Sequence, residues 1–145
     1  MKNTLNFLDR IQQNINDRHL LKHPFYLAWV NGELKLSAIK EYAAQYYHHV
    51  SAFPRYISGI HSNCEDLSVR QKLLDNLNDE EQGEENHPEL WKRFGEGLGN
   101  TRSYMKSVKQ MKETKTLVST FFSLTKNSPV YVGLAALLCY ESMVP

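Results

Sequence analysis

Apolar residues recur along this chain at the three- and four-residue spacing of an α-helix. A first series consists of Leu5, Leu8, Ile11 and Ile15. A longer series consists of Ile39, Ala43, Tyr46, Val50, Phe53 and Ile57. This period places apolar side chains on one helix face, whereas a half-buried strand needs strict alternation, which no segment shows convincingly. The pattern therefore predicts an all-α protein.

Prolines, glycines and capping residues mark where the first helices begin and end. Pro24 suits the first turn of a short helix, and Asn31-Gly32 suits its end. Ser37 is placed to cap the long apolar series that follows, and Pro54 predicts a kink inside it.

The later boundaries follow the same rules. Asp66 predicts the cap of a helix that runs to about Asn78. Pro88 predicts the start of another helix, which ends near residues 97–99, and Ser128-Pro129 predicts the start of the last. We expect seven or eight helices that pack as one bundle.

The last predicted helix is apolar on every face between Val130 and Tyr140. Such a helix belongs in the middle of a bundle. Glu141 ends this run and is the only acidic residue after Glu113. Buried alone, a carboxylate needs a cation, a hydrogen-bond partner or a metal, whereas at a frayed helix end it simply reaches water. Both interpretations of Glu141 stay open at this stage.

Composition narrows the class of protein. The 145 residues fit one domain, residues 1–145, and the formal net charge of +1 gives no reason to expect binding to nucleic acid. Cys64 and Cys139 are far apart and in no metal-binding or redox spacing, which suits free thiols in the cytoplasm. The N-terminus is not a signal peptide, and no run is long enough for a membrane helix.

Six carboxylates and one histidine fall between Asp79 and Glu89 with no basic residue among them. Glu80, Glu84 and His87 share one face if a single helix continues through this stretch. The Glu84-x-x-His87 spacing is also that of carboxylate-bridged di-iron bundles. Oxygen and imidazole donors favour iron or manganese. The simpler alternative is a solvated acidic helix end.

Aromatic residues concentrate after Pro24, and most of them are expected to pack in the core. A tyrosine next to an oxidising metal would instead donate electrons. His48 and His49 are adjacent and therefore point in different directions, so each is interpreted as a hydrogen-bonded helical histidine rather than a ligand.

Three segments together resemble the CADD-like folate-metabolism proteins, which are relatives of the TenA and PqqC groups. They are NFLDRIQQNINDRHLLKHPFYLAWVNGELKLSAIKEYAAQYYHHVSAFPRYISGIHSNCEDL, LLDNLNDEEQGEENHPELWKRFGEGLG and GLAALLCYESMVP. The resemblance covers essentially the whole chain and implies a haem-oxygenase-like helical bundle. It also implies an oxidoreductase with two metal ions, both iron or iron with manganese. That centre activates O2 and forms p-aminobenzoate from one of the protein's own tyrosines.

The resemblance assigns metal ligands by matching motif. Glu80 of DNLNDEE, His87 of NHPELW and Glu141 of YES match the family's ligands. The helical spacing alone favours Glu84, but Glu80 is preferred because Gly83 can interrupt the helix that this spacing assumes.

The same resemblance assigns tyrosines. Tyr26 in HPFY matches the tyrosine that is consumed, and Tyr42 and Tyr140 match tyrosines near that site. We treat these three as the catalytic candidates.

Family members continue past the point where this sequence ends, and their remaining metal ligands and a lysine implicated as amino donor come from that later part. We therefore expect a bundle that lacks its last helices and carries half of a metal site. Glu80, His87 and Glu141 would hold one ion weakly or none, and the isolated chain would form no product. The alternative is a non-catalytic interaction module. In either case a homo-oligomer, a complementing chain or another protein partner is expected to cover the apolar last helix.

Overall fold

The structure, a computed structural model, describes residues 2–144, with side chains from residue 6 onward. It contains eight α-helices and a 3₁₀ helix at Leu20–Lys22, and the described residues include no strand. The helices are α1 (Lys2–Asp17), α2 (Pro24–Val30), α3 (Leu36–Asn63), α4 (Leu67–Glu81), α5 (His87–Gly97), α6 (Arg102–Ser107), α7 (Lys112–Lys126) and α8 (Val130–Glu141). The all-α prediction is confirmed. Within the described residues, none of these helices has the length and hydropathy needed to cross a bilayer.

The chain forms two compact units, where the sequence predicted a single domain. The smaller unit comprises the residues up to Leu34 together with those from Leu137 onward. The larger unit comprises Lys35–Ala136. The two units are described separately below.

The larger unit is built around α3. Helices α4, α5, α6 and α7 all pack against it. Its 28 residues bury alanines, aromatic residues and isoleucines on the inward faces, and Tyr56, Ile57 and Ile60 are completely buried. Pro54 lies inside this helix without ending it, and its ring is buried. The positions of α4 to α7 in this unit therefore depend on how each packs against α3.

Several predicted boundaries are confirmed. Pro24 occupies the first turn of α2, where His23 accepts a hydrogen bond from the backbone of Phe25. Asn31 ends that helix, and Gly32 follows with a φ of 71°, a conformation that favours glycine.

Asp66 caps α4 as predicted. Its Oδ1 accepts from the backbone N–H groups of Ser68 at 2.8 Å and Val69 at 3.2 Å. The helix then continues to Glu81, three residues beyond the predicted end near Asn78.

Two predicted caps are wrong. Ser37 lies inside the first turn of α3, whose N-cap is Lys35 and has no side-chain cap. Ser128 does not cap α8 either, because its hydroxyl donates to the carbonyl of Ser123. Serine is a frequent N-cap. Its hydroxyl also bonds to nearby carbonyls, so composition alone does not fix the boundary.

The apolar α8 is not enclosed on every face by the side chains that the structure describes. Gly133 packs so close to Ile60 of α3 that a Cβ there would lie 2.7 Å from the isoleucine Cγ1. Along the same helix, however, Tyr131 is 73% exposed and Leu138 is 48% exposed. One stripe of α8 is thus buried, and another presents large apolar side chains to solvent.

Gln45 joins α3 to the segment between α6 and α7. Its Nε2 donates to the carbonyl of Lys109 at 3.0 Å and to Glu41 at 3.3 Å. Its Oε1 accepts from the backbone N–H of Met111 at 2.9 Å and from the hydroxyl of Thr114 at 3.0 Å. Both the nitrogen and the oxygen of the buried Gln45 amide are therefore hydrogen-bonded. The backbone groups of Lys109 and Met111 would lose a hydrogen bond without this side chain.

Replacing Gln45 with alanine should destabilise the fold by about 2 to 4 kcal/mol, because buried backbone groups lose their partners. The matched control is Gln71→Ala on the exposed side of α4, which should change stability by less than about 0.5 kcal/mol. Urea denaturation followed by circular dichroism measures both changes. Equal effects of the two substitutions would contradict the role assigned to Gln45.

Candidate metal centre

Glu80 and His87 form the closest carboxylate–imidazole contact in the acidic stretch. Glu80 Oε2 lies 2.7 Å from His87 Nδ1. The Glu80 side chain is 11% exposed, whereas the His87 side chain is 60% exposed. The pair therefore combines a nearly buried oxygen donor with a nitrogen donor that solvent reaches.

The turn between α4 and α5 brings these two residues together. Helix α4 ends at Glu81, and Gly83 then adopts a φ of 81°. The Asn86 side chain donates to the carbonyl of Gly83 at 2.8 Å and accepts from the backbone N–H of Glu89 at 3.0 Å. Asn86 thus closes the turn and caps α5, which places His87 at the first helical position.

This local structure removes the basis for the Glu84 alternative. The helical spacing required one continuous helix through Gly83, but Glu84 lies in the turn and is exposed. Its backbone carbonyl accepts a hydrogen bond from Arg93. The Glu84-x-x-His87 pattern is therefore not a helical motif in this protein.

The geometry of the Glu80–His87 pair fits two neighbouring ligands of one metal ion. Ligand bonds of about 2.1 Å at a right angle place two donor atoms about 3.0 Å apart. The observed separation of 2.7 Å is close to this value and is also that of a hydrogen bond. A small outward shift of the two side chains would make room for a metal ion between the two donor atoms, with the imidazole proton on Nε2.

Two other carboxylates of the stretch, Glu85 and Glu89, form ion pairs with basic residues. Glu89 pairs with Lys92 at 2.7 Å and with Arg102 at 2.8 Å. Arg102 also binds Glu96, and Arg93 binds Glu85. Sequence spacing could not reveal this network, because Arg102 belongs to the next helix, α6. The hydrogen bonds from Arg102 and Lys92 lower the pKa of Glu89 to about 2.

Tyr42 and Trp91 lie in the same unit as the Glu80–His87 pair. The Tyr42 ring stacks on Tyr46 at 5.2 Å and meets the edge of Trp91 at 6.0 Å. Trp91 follows His87 by four residues on α5, so the two share a helix face. Its indole N–H donates to the carbonyl of Ala43 on α3 at 2.9 Å. Sequence reasoning did not single out Trp91, although its position one turn after His87 is visible in the sequence.

The remaining predicted site residues lie in the smaller unit. Tyr26 is on α2, with its ring 5.4 Å from Phe25 and 6.5 Å from Trp29. Tyr140 and Glu141 are the last two residues of α8. Over the part of the chain that the structure describes, no group of three or more histidine, cysteine, aspartate or glutamate side chains forms a metal-binding cluster.

The chain is similar to a known protein family and to several of its named members. The model of the TENA/THI-4/PQQC family matches residues 8–145. A 4-aminobenzoate synthase of Chlamydia muridarum is 43% identical over 142 residues, which cover 98% of this chain and 60% of that protein. A 4-aminobenzoate synthase of Nitrosomonas europaea is 43% identical over 151 residues, with 98% and 61% covered.

A more distant similarity is to a pyrroloquinoline-quinone synthase of Klebsiella pneumoniae. It is 30% identical over 84 residues, which cover 57% of this chain and 34% of that protein. The chain spans about 60% of the length of the 4-aminobenzoate synthases it matches.

The ion pairs of Glu89 should stabilise the fold in a pH-dependent way. Because its pKa is lowered from 4.5 to about 2, the contribution is complete above pH 4.5 and is lost as the pH falls toward 2. Glu89→Gln should therefore lower the melting temperature at pH 7, and the difference from wild type should shrink between pH 4.5 and 2. The exposed Glu65, outside this network, provides the control Glu65→Gln. A Glu89→Gln difference that stays constant across this pH range would contradict the assignment.

Proposed function

Since the chain belongs to the TENA/THI-4/PQQC family, which has a haem-oxygenase-like all-α fold, we propose that it takes part in the formation of p-aminobenzoate for folate synthesis. Relatives named 4-aminobenzoate synthase share 43% of the aligned residues with it. The observation that carries the proposal is the Glu80–His87 contact of 2.7 Å. Both residues match the family's ligand positions, and their donor atoms fit one ion.

In this proposal Glu80, His87 and Glu141 provide ligands for iron, or for iron with manganese. When bound, the metal supplies the activation of O2. Glu80 holds its carboxylate at the end of α4, 2.7 Å from His87 Nδ1, so both donor atoms would face a bound ion. The centre is an oxidoreductase site, and it lies in the cytoplasm, where the free thiols of Cys64 and Cys139 are stable.

Tyr26 is the proposed source of the product's ring, and Tyr42 and Tyr140 are the other two proposed catalytic tyrosines. The three ligands named above hold at most one ion firmly, so the proposed centre needs further donors, which the experiment below supplies on a second polypeptide.

Complementation tests this function. The chain, supplied with Fe²⁺, Mn²⁺, reductant and air, should keep its intact mass and release no p-aminobenzoate. Addition of the part of the Chlamydia muridarum relative that this chain does not match should restore product, and the mass of the chain should then fall. Tyr26→Phe should abolish product, whereas Tyr104→Phe on α6 should not.

The possible results separate two claims. If the isolated chain releases p-aminobenzoate and Tyr26→Phe abolishes that release, the metal centre is complete without a second polypeptide, which contradicts the need for one. No product from a complemented protein that holds metal would contradict p-aminobenzoate formation itself.

The exposed stripe of α8 favours a second candidate function, a protein-interaction module. Tyr131, Ala135 and Leu138 repeat at helical spacing and are all exposed. Burial of apolar surface contributes roughly 25 cal/mol per Å². We propose a second copy of this chain as the occupant, since symmetric self-association is the commonest way for a single chain to cover such a surface.

Self-association predicts a dimer or larger oligomer at tens of micromolar in light scattering. Leu138→Glu should shift the protein toward monomer, because it places a charge on the apolar stripe. The control Leu74→Glu changes an equally exposed leucine on α4, which is 46% exposed, and should leave the oligomer intact. A monodisperse wild-type monomer would contradict this prediction.

A further inference from the structure

An aromatic series on α3 contains a buried tyrosine and histidine that the proposed function does not use. Its members are Tyr42, Tyr46, His49, Phe53 and Tyr56. These positions follow one another at three and four residues, so they occupy one face of the helix. His49 and Tyr56 are completely buried at the far end of this face.

Tyr56 and His49 are in direct polar contact. The Tyr56 hydroxyl lies 3.4 Å from His49 Nδ1, and the two ring centroids are 5.6 Å apart. Phe121 stacks on Tyr56 at 5.1 Å, and Phe122 meets it edge-on at 4.8 Å. The phenol is therefore enclosed by apolar rings and faces one basic atom.

The protonation states of this pair suit proton transfer. Burial lowers the pKa of His49 to about 4, so its imidazole is neutral at pH 7. Burial also raises the pKa of Tyr56 far above its usual value, so its phenol keeps its proton. In the tautomer with the proton on Nε2, His49 Nδ1 is an acceptor for the Tyr56 proton.

Closely spaced rings lead from this pair to Trp91 on α5, the helix that also carries His87. Tyr46 lies 5.4 Å from His49 and 5.1 Å from Trp91, measured between ring centroids. Trp91 shares a face of α5 with His87, one turn away. Tyrosine and tryptophan are the side chains that lose an electron most readily; here Tyr46 and Trp91 are in ring contact, and His49 lies between Tyr46 and Tyr56.

We propose that Tyr56 and His49 form a proton-coupled electron donor, connected through Tyr46 and Trp91 to the Glu80–His87 pair. Tyr56 loses one electron, and its phenolic proton moves to His49 Nδ1. The products are a neutral tyrosyl radical and an imidazolium. The electron passes through Tyr46 and Trp91 and reduces a one-electron oxidant at the His87 end.

The identity of the natural oxidant rests on the proposed function, which places O2 chemistry at Glu80 and His87. The electron donor does not depend on the proposed function, because any one-electron oxidant that can oxidise tyrosine would accept its electron. A photochemical test on metal-free protein therefore separates the two claims. Failure to form p-aminobenzoate would leave this test unaffected.

The test attaches a ruthenium tris(bipyridine) photo-oxidant through Gln82→Cys, in a Cys139→Ser background, at the turn before His87. Flash oxidation to ruthenium(III) should produce a tyrosyl radical, detected by electron paramagnetic resonance. Tyr56→Phe should reduce the radical yield severalfold. Formation of the radical should slow in D2O, because a proton moves with the electron.

Two further variants separate this role from simple packing. His49→Gln keeps a polar partner for Tyr56 but removes the base, so the yield should fall although Tyr56 is present. Tyr104→Phe removes an exposed tyrosine of the same unit and should change nothing. Circular dichroism shows whether each variant is folded. If His49→Gln does not fold, the radical yield of Tyr56→Phe tests the proposal by itself. An unchanged radical yield in Tyr56→Phe, or a loss in Tyr104→Phe, would overturn the proposal.

Discussion

The burial of α3 is the constraint on which the larger unit depends. Helices α4 to α7 pack against this one helix, so their positions follow from which of its side chains face inward. Small residues allow the close contacts: Ala43 and Ala44 are fully buried, and a side chain at Gly95 on α5 would collide with Met105 on α6. Polar groups then fix the connections, as Gln45 does for the segment before α7.

The candidate site is a consequence of how α4 ends. Helix α4 ends at Glu81, and Gly83 follows with a positive φ. The chain reverses direction over the five residues before α5, and this reversal brings His87 into contact with Glu80. The same reversal puts Glu89 beside Arg102, which pairs with its carboxylate. Of six carboxylates in that stretch, Glu80 is the buried one. The turn thus brings one nearly buried carboxylate and one accessible imidazole into contact, and these are the two donor types expected for iron or manganese.

Helical period and caps predicted the fold class and most boundaries, because those signals depend on neighbours within a few residues. Asp66 and Pro24 are examples. The Glu84 alternative assumed one continuous helix, and that assumption is wrong because α4 ends at Glu81 and Gly83 takes a positive φ. The spacing of residues does not reveal such a break, although a glycine in the stretch indicates that one can occur. Arg102 and Tyr56 could not be assigned, since their partners are set by packing between helices or by burial. The motif match preferred Glu80 where spacing favoured Glu84, and the structure places the Glu80 and His87 side chains in contact.

Titration with Mn²⁺, followed by the loss of the free-ion signal in electron paramagnetic resonance, tests the assignment of Glu80 and His87 most directly. The account predicts binding that weakens in both His87→Ala and Glu80→Gln. Glu84→Gln, an exposed carboxylate of the same turn, should bind Mn²⁺ like the unchanged protein. Binding that survives His87→Ala undiminished, or that Glu84→Gln weakens as much as Glu80→Gln does, would contradict the assignment.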